Sequence, residues 1–133
     1  MATAQFGIHK QIAGRSAYAQ VRVRILEKGS GTASVAVSDQ AFAWLKTEYG
    51  PDAWEWPVCD DYRSGAIAGV QIALTSSEPH IEASIVIEEI RAHPAHSDRE
   101  VISYVSAMAT WRALGVRPAR SLTIWNITMI DEP

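Results

Sequence analysis

Residues 8–25 read IHKQIAGRSAYAQVRVRI. Val21, Val23 and Ile25 alternate with Gln20, Arg22 and Arg24, the period of a strand buried on one face. Ahead of that strand, Ala13-Gly14-Arg15-Ser16 reads as a turn, because Gly14 takes a positive φ at little steric cost. His9, Lys10 and Arg15 bring positive charge to the approach. This is the pattern of a loop carried on a strand and offered to an anionic partner. An ordinary connection into an ordinary strand is the plain alternative.

Downstream, residues 27–32 form a turn, and Ala33 to Val37 alternates with small residues as a strand pairing back in a hairpin. Ser38 or Asp39 caps a short helix with Phe42, Leu45 and Tyr49 at helical spacing, stopped by Gly50-Pro51. Asp60 or Asp61 caps a longer helix carrying Ile67, Val70 and Leu74, where Ala66, Gly69 and Ala73 allow close packing. His80 to Ile90 is a long strand, with Val86 and Ile90 interrupting its polar face. Ser97 and Glu100 form a capping box for a helix from Asp98 to Leu114, closed by Gly115. Ser121 to Met129 reads as a closing strand.

In order and spacing these features resemble domain IV of elongation factor G. In that family an HK-rich strand enters a Gly-Gly-Arg-Gly-Gln-Tyr-Gly loop, which His9-Lys10 and Ala13-Gly14-Arg15-Ser16-Ala17-Tyr18-Ala19 partly match. A later His-Pro-Val-Asp-Ser-Ser-Glu run leading into an alanine-rich helix is similar to His93-Pro94 through Glu100 with Ser106-Ala107-Met108-Ala109. The resemblance covers most of the chain and implies one α+β domain over residues 1–133. Its four-stranded sheet would be of the split β-α-β type, with two long helices on one face, plus a short extra helix and a Trp-rich insertion. It also implies that the Arg15 loop and the His93–His96 loop share the tip that enters the ribosomal decoding site. His9, Lys10, Arg15, Tyr18, His93, His96 and Arg99 would then be RNA-contacting residues. Ala13, Ser16, Ala17 and Ala19 stand where the family has other residues, mostly glycine.

Length and composition bound this. A chain of 133 residues, 47% hydrophobic, is one domain able to fold without staples. It has no apolar run long enough to span a membrane. The first residues show no secretory-signal pattern. The lone Cys59 fits a reducing compartment, so a cytoplasmic location is expected. Net charge is −3, but residues 1–28 hold five cations against Glu27, leaving −7 for the remainder. A dedicated nucleic-acid binder is basic overall. Contact with RNA here must therefore be local, at the N-terminal strand and loop.

Few residues propose chemistry. His93-x-x-His96, with Glu89 and Asp98 nearby, invites a metal, but a loop broken by Pro94 lacks the helical i, i+4 spacing of the zinc hydrolase motif. Cys59 sits beside Asp60 and Asp61, which disfavour a thiolate. The adjacent aspartates read as helix-start residues. No P-loop signature occurs, which excludes nucleotide binding of that kind; no cofactor or metal is expected.

Three function classes remain: a stand-alone non-catalytic module associated with the ribosome or structured RNA, a protein-interaction or self-associating module, and a small His-dependent metal hydrolase. The second rests on Trp44, Trp54 and Trp56, which either cover one end of the core or form an exposed patch. It also rests on the sheet face opposite the helices, where Val86, Ile90, Trp125 and Ile127 would add apolar area. A homodimer whose interface includes Trp54 or Trp56 is the resulting expectation.

Overall fold

The computed structural model describes residues 2–29, 31, 33–50, 52–53, 56–77 and 80–129. The decisive stretch folds as a long hairpin: β1 (Thr3–Ile12) runs antiparallel to β2 (Arg15–Lys28), pairing Thr3 with Arg24 and Ile12 with Arg15. Only Ala13 and Gly14 connect them, both at positive φ (51° and 83°). That is the backbone a two-residue type I′ turn requires, because its twist matches that of the strands. The basic lead is thus itself a full strand.

β3 (Ser34–Val37) does not pair back on β2. It lies parallel to β4 (Ala83–Ala92), giving the order β1-β2-β4-β3. Between β3 and β4 the chain passes through α1 (Ala43–Tyr49) and α2 (Pro57–Ser76), the long crossover that parallel neighbours need. This β-α-β unit closes between adjacent strands, with no strand inserted between them as a split unit would have. The expected closing strand over 121–129 is instead a small separate hairpin, β5 (Thr123–Ile124) with β6 (Ile127–Thr128), turning on Trp125 and Asn126 at positive φ. The sheet therefore has four strands, with β1 in the place expected for the C-terminal one.

α2 and α3 (Arg99–Leu114) cover one face of the sheet, α3 over β1 and β2, α2 over β4 and β3. Val21, Val23, Ile85, Ile87, Ile102, Val105 and Trp111 are fully buried between the layers. The helices cross at glycine: a Cβ on Gly69 would stand 2.2 Å from the Ser103 carbonyl oxygen, and one on Gly65 2.8 Å from that of Arg99. At this contact the buried Ser106 hydroxyl donates to the Ala66 carbonyl (2.6 Å). α2 starts earlier than Asp60: Pro57 occupies its first turn, Trp56 is the N-cap residue without a side-chain cap, and Asp60 lies inside the first turn. Pro is suited there because the missing N–H has no helical partner anyway. α1, by contrast, starts later than expected, at Ala43, and the Ser38 hydroxyl accepts from the Gln40 amide instead of capping it.

The uncovered face differs from the expected apolar one. The β2–β4 register shifts between Arg22 and Val23, opposite Glu89 and Ile87, which leaves Glu88 as an extra residue. A bulge of this kind reverses the facing of the residues beyond it, so Ile90 turns into the core and is fully buried. The open face carries Arg22 and Arg24 at 3.3 and 3.4 Å from Glu88, with Arg91 2.9 Å from Glu89. Trp125 and Ile127 belong to the C-terminal hairpin and do not lie in this sheet. The apolar area invoked for a second subunit is therefore an ion-pair ladder around Val86.

Candidate functional site

The N-terminal end of β2 and the C-terminal end of β4 are neighbours, pairing Ala19 with Ala92. This brings the loop after β4 against the β1–β2 hairpin. The Tyr18 amide donates to the His96 carbonyl (2.8 Å), and the Ser97 hydroxyl donates to the Tyr18 carbonyl. Arg15 and His96 thus lie at the same end of the molecule. The expected capping box is rearranged to make this joint. Ser97, which also accepts from the His93 amide (2.8 Å), is committed to the loop. Asp98 is the N-cap, accepting from the Val101 amide (2.9 Å), and Glu100 accepts from the Trp125 amide (3.2 Å).

Strand alternation sorts the predicted residues. His9 and Tyr18 are cross-strand partners on the open face, their rings edge-to-face at 5.7 Å. Lys10 pairs with the buried Ala17, and Arg15 shares that parity, so both belong to the helix-bearing face. There the Arg15 guanidinium sits 3.8 Å over the Trp125 ring, whose indole N–H donates to Asp98 (2.7 Å). Lys10 lines a separate groove with Ile127 and Thr128. Arg99 lies at the α2–α3 crossing, its Cγ 3.3 Å from where a Gly65 Cβ would be. Of the seven residues, His9, Tyr18, His93 and His96 converge; Lys10, Arg15 and Arg99 stand apart from them.

The four that converge line a cleft of about 390 Å³ with Trp44, Glu48 and Arg91. Trp44 is held by its indole N–H, which donates to the Ile90 carbonyl (2.6 Å). The His93 and His96 rings stack 4.6 Å apart, and His93 Nδ1 accepts from the Ala95 amide (3.1 Å). The hydrogen bond to Glu89 raises the Arg91 pKa, fixing the cation in place. Among the described residues no group of three His, Cys, Asp or Glu stands close enough to hold a metal ion. Trp44, Glu48 and Arg91 escaped sequence reasoning. Trp44 was visible only as one of three clustered tryptophans, and the bulge at Glu88 that aims Arg91 onto the open face leaves no mark in local periodicity.

Elsewhere, the Cys59 thiol is fully buried and donates to the Ala53 carbonyl (3.6 Å), and burial pushes its pKa up. Trp56 is 39% exposed with its ring 5.5 Å from that of Tyr49, itself 63% exposed. Trp54 lies outside the described residues. No described helix is long and apolar enough to cross a membrane.

No family model matches the chain, and no curated protein matches it. Among solved structures, it is similar to a protein from Thermus thermophilus with a TM-score of 0.59 and 14% identity. That match covers 86% of this chain and 16% of the other. At this identity the likeness is one of fold: the same arrangement forms a small part of a much longer chain.

Proposed function

We propose that this domain is a non-catalytic binding module of the elongation factor G domain IV type, which contacts structured RNA through its tip. The observation that carries the reading is the joining of the β1–β2 hairpin to the β4–α3 loop, which gathers His9, Tyr18, His93 and His96 around one cleft. The likeness to one part of a long chain bears on the fold of the module alone. Aromatic and imidazole faces suit an unpaired base, since sequence-tolerant stacking is how unstacked RNA bases are held. Arg91 at the cleft wall suits the adjoining phosphate. With a net charge of −3, affinity comes from the few groups at this end, so binding has a shallow salt dependence.

The test is titration of an RNA stem-loop against wild type and a His9→Ala/His93→Ala double variant, both positions being exposed. Saturable binding weakened about tenfold or more by the double change is expected, from stacking worth ~1–3 kcal/mol per base. Equal affinity of the two proteins, or preference for an uninterrupted duplex, defeats the reading. A second reading, a protein-interaction module, rests on the exposed Tyr49–Trp56 pair, because paired aromatics anchor interface hot spots. Photo-crosslinking from position 56 in cell extract tests it; failure to form a discrete adduct counts against it.

A further inference from the structure

We infer that the free edge of β1 is a self-association surface, pairing antiparallel with β1 of a second copy in a register centred on Gly7. β1 ends the sheet order, and among the described residues no strand lies beyond it. The Ile25 amide donates to the Ala2 carbonyl (2.9 Å), which fixes the hydrogen-bonding parity of the hairpin. Even-numbered residues of β1 exchange backbone bonds with β2, while the N–H and C=O of Thr3, Gln5, Gly7, His9 and Gln11 point outward. All five residues are exposed.

Proteins guard such edges with proline, bulges, charges or a covering segment. β1 has no proline, and its pairing with β2 is unbroken over the whole strand. Its one charge, Lys10, lies on the helix-bearing face. Among the described residues one guard is Arg112, whose guanidinium donates to the Gln5 carbonyl (2.9 Å) and lies 5.0 Å from the Phe6 ring, and Ile127 to Met129 share a groove with the end of the strand at Lys10 to Ile12. A carbonyl accepts two hydrogen bonds, so the Arg112 contact does not close the edge.

The strand is self-complementary about Gly7, which selects a second copy over an unrelated peptide. A two-fold axis there places Thr3 against Gln11 and Gln5 against His9 on the open face. On the helix-bearing face it sets Phe6 against Ile8, both only partly buried in the monomer. Like meets like in polarity at these positions, no charged pair opposes itself, and each contact occurs twice, as an isologous interface demands. Five outward residues per strand supply about ten backbone hydrogen bonds. The resulting sheet of two fused four-stranded halves is a weak, concentration-dependent dimer held by the edge.

The measurement is disulfide trapping in solution. Thr3→Cys/Gln11→Cys should give a covalent dimer on mild oxidation, since directly opposed strand residues fall within disulfide reach. Thr3→Cys and Gln11→Cys alone should not, and Cys59 is buried and does not compete. Amide exchange on the wild-type chain is a second readout free of substitution. Protection of the Thr3, Gln5, Gly7, His9 and Gln11 amides should rise at least about tenfold between dilute and roughly 0.5 mM protein, the range a weak interface occupies. Single variants that crosslink as well as the double one, or outward amides whose exchange ignores concentration, overturn the inference.

Discussion

Replacing Gly69 with Ala tests the helix crossing on which the core depends. An added Cβ meets the Ser103 carbonyl oxygen at 2.2 Å, the Ser106 Cβ at 2.7 Å and the Ala107 amide nitrogen at 2.9 Å. Two of these are backbone atoms of α3, so no side chain can rotate away and the helices must separate. Overpacking of this kind costs about 1–3 kcal/mol. Separation also stretches the buried Ser106–Ala66 hydrogen bond, for roughly 1 kcal/mol more. Against this, Ala is favoured over Gly in a helix by about 1 kcal/mol. The net is a destabilisation of about 1–3 kcal/mol, or a fall in Tm of roughly 4–10 °C for a domain of this size. Urea and thermal unfolding followed by circular dichroism measure it. The sign is decisive: on an open helix face the same substitution stabilises, so a Gly69→Ala variant as stable as wild type refutes the crossing.

Three further outcomes rest on local geometry. Ala13 holds φ 51° without being glycine, so Ala13→Asn, which suits the type I′ turn, should stabilise by about 0.5–1 kcal/mol in the same unfolding assay. Asp98→Ala removes both the α3 cap and the acceptor of the Trp125 indole; a loss of about 1–3 kcal/mol is expected, and Asp98→Asn should recover the cap part of it. Burial raises the pKa values of Cys59 and Tyr62 above 9.0 and 10.0 respectively. The fold therefore favours their neutral forms, a contribution complete below pH 9 and lost as pH rises through the folded values. Native Cys59 should accordingly react with a thiol reagent at pH 8 only at the rate of unfolding, and labelling as fast as in denaturant would contradict its burial.

Much of the architecture was legible because β2 obeys a single period along its core-facing length. The alternation from Gln20 to Ile25 assigns its two faces correctly, and Gly115 ends α3 in the left-handed conformation its sequence implies. Three of the misreadings share a cause. Ile90 looked misplaced on a polar face until the bulge at Glu88 showed why it is buried. Val35 and Val37 alternate equally well beside β2 or β4, and only the crossover through α2 decides the parallel choice. Ser97-x-x-Glu100 matched a capping box, yet Ser97 is drawn away by Tyr18, a contact 79 residues distant in sequence. His9 and Lys10 are neighbours in sequence, yet the pleat sends them to opposite faces. Long-range contacts, not local propensity, decide the first three, and the strand's own two-residue period decides the last.

Co-sedimentation with ribosomes from cell extract, at low and at moderate salt, tests RNA contact at this tip. Wild-type protein should pellet with the particles at both salt concentrations. The His9→Ala/His93→Ala variant, folded to the same melting temperature within about 2 °C, should stay in the supernatant. Wild type that remains in the supernatant at low salt, or a double variant that pellets as completely as wild type, contradicts the assignment of RNA contact to this tip.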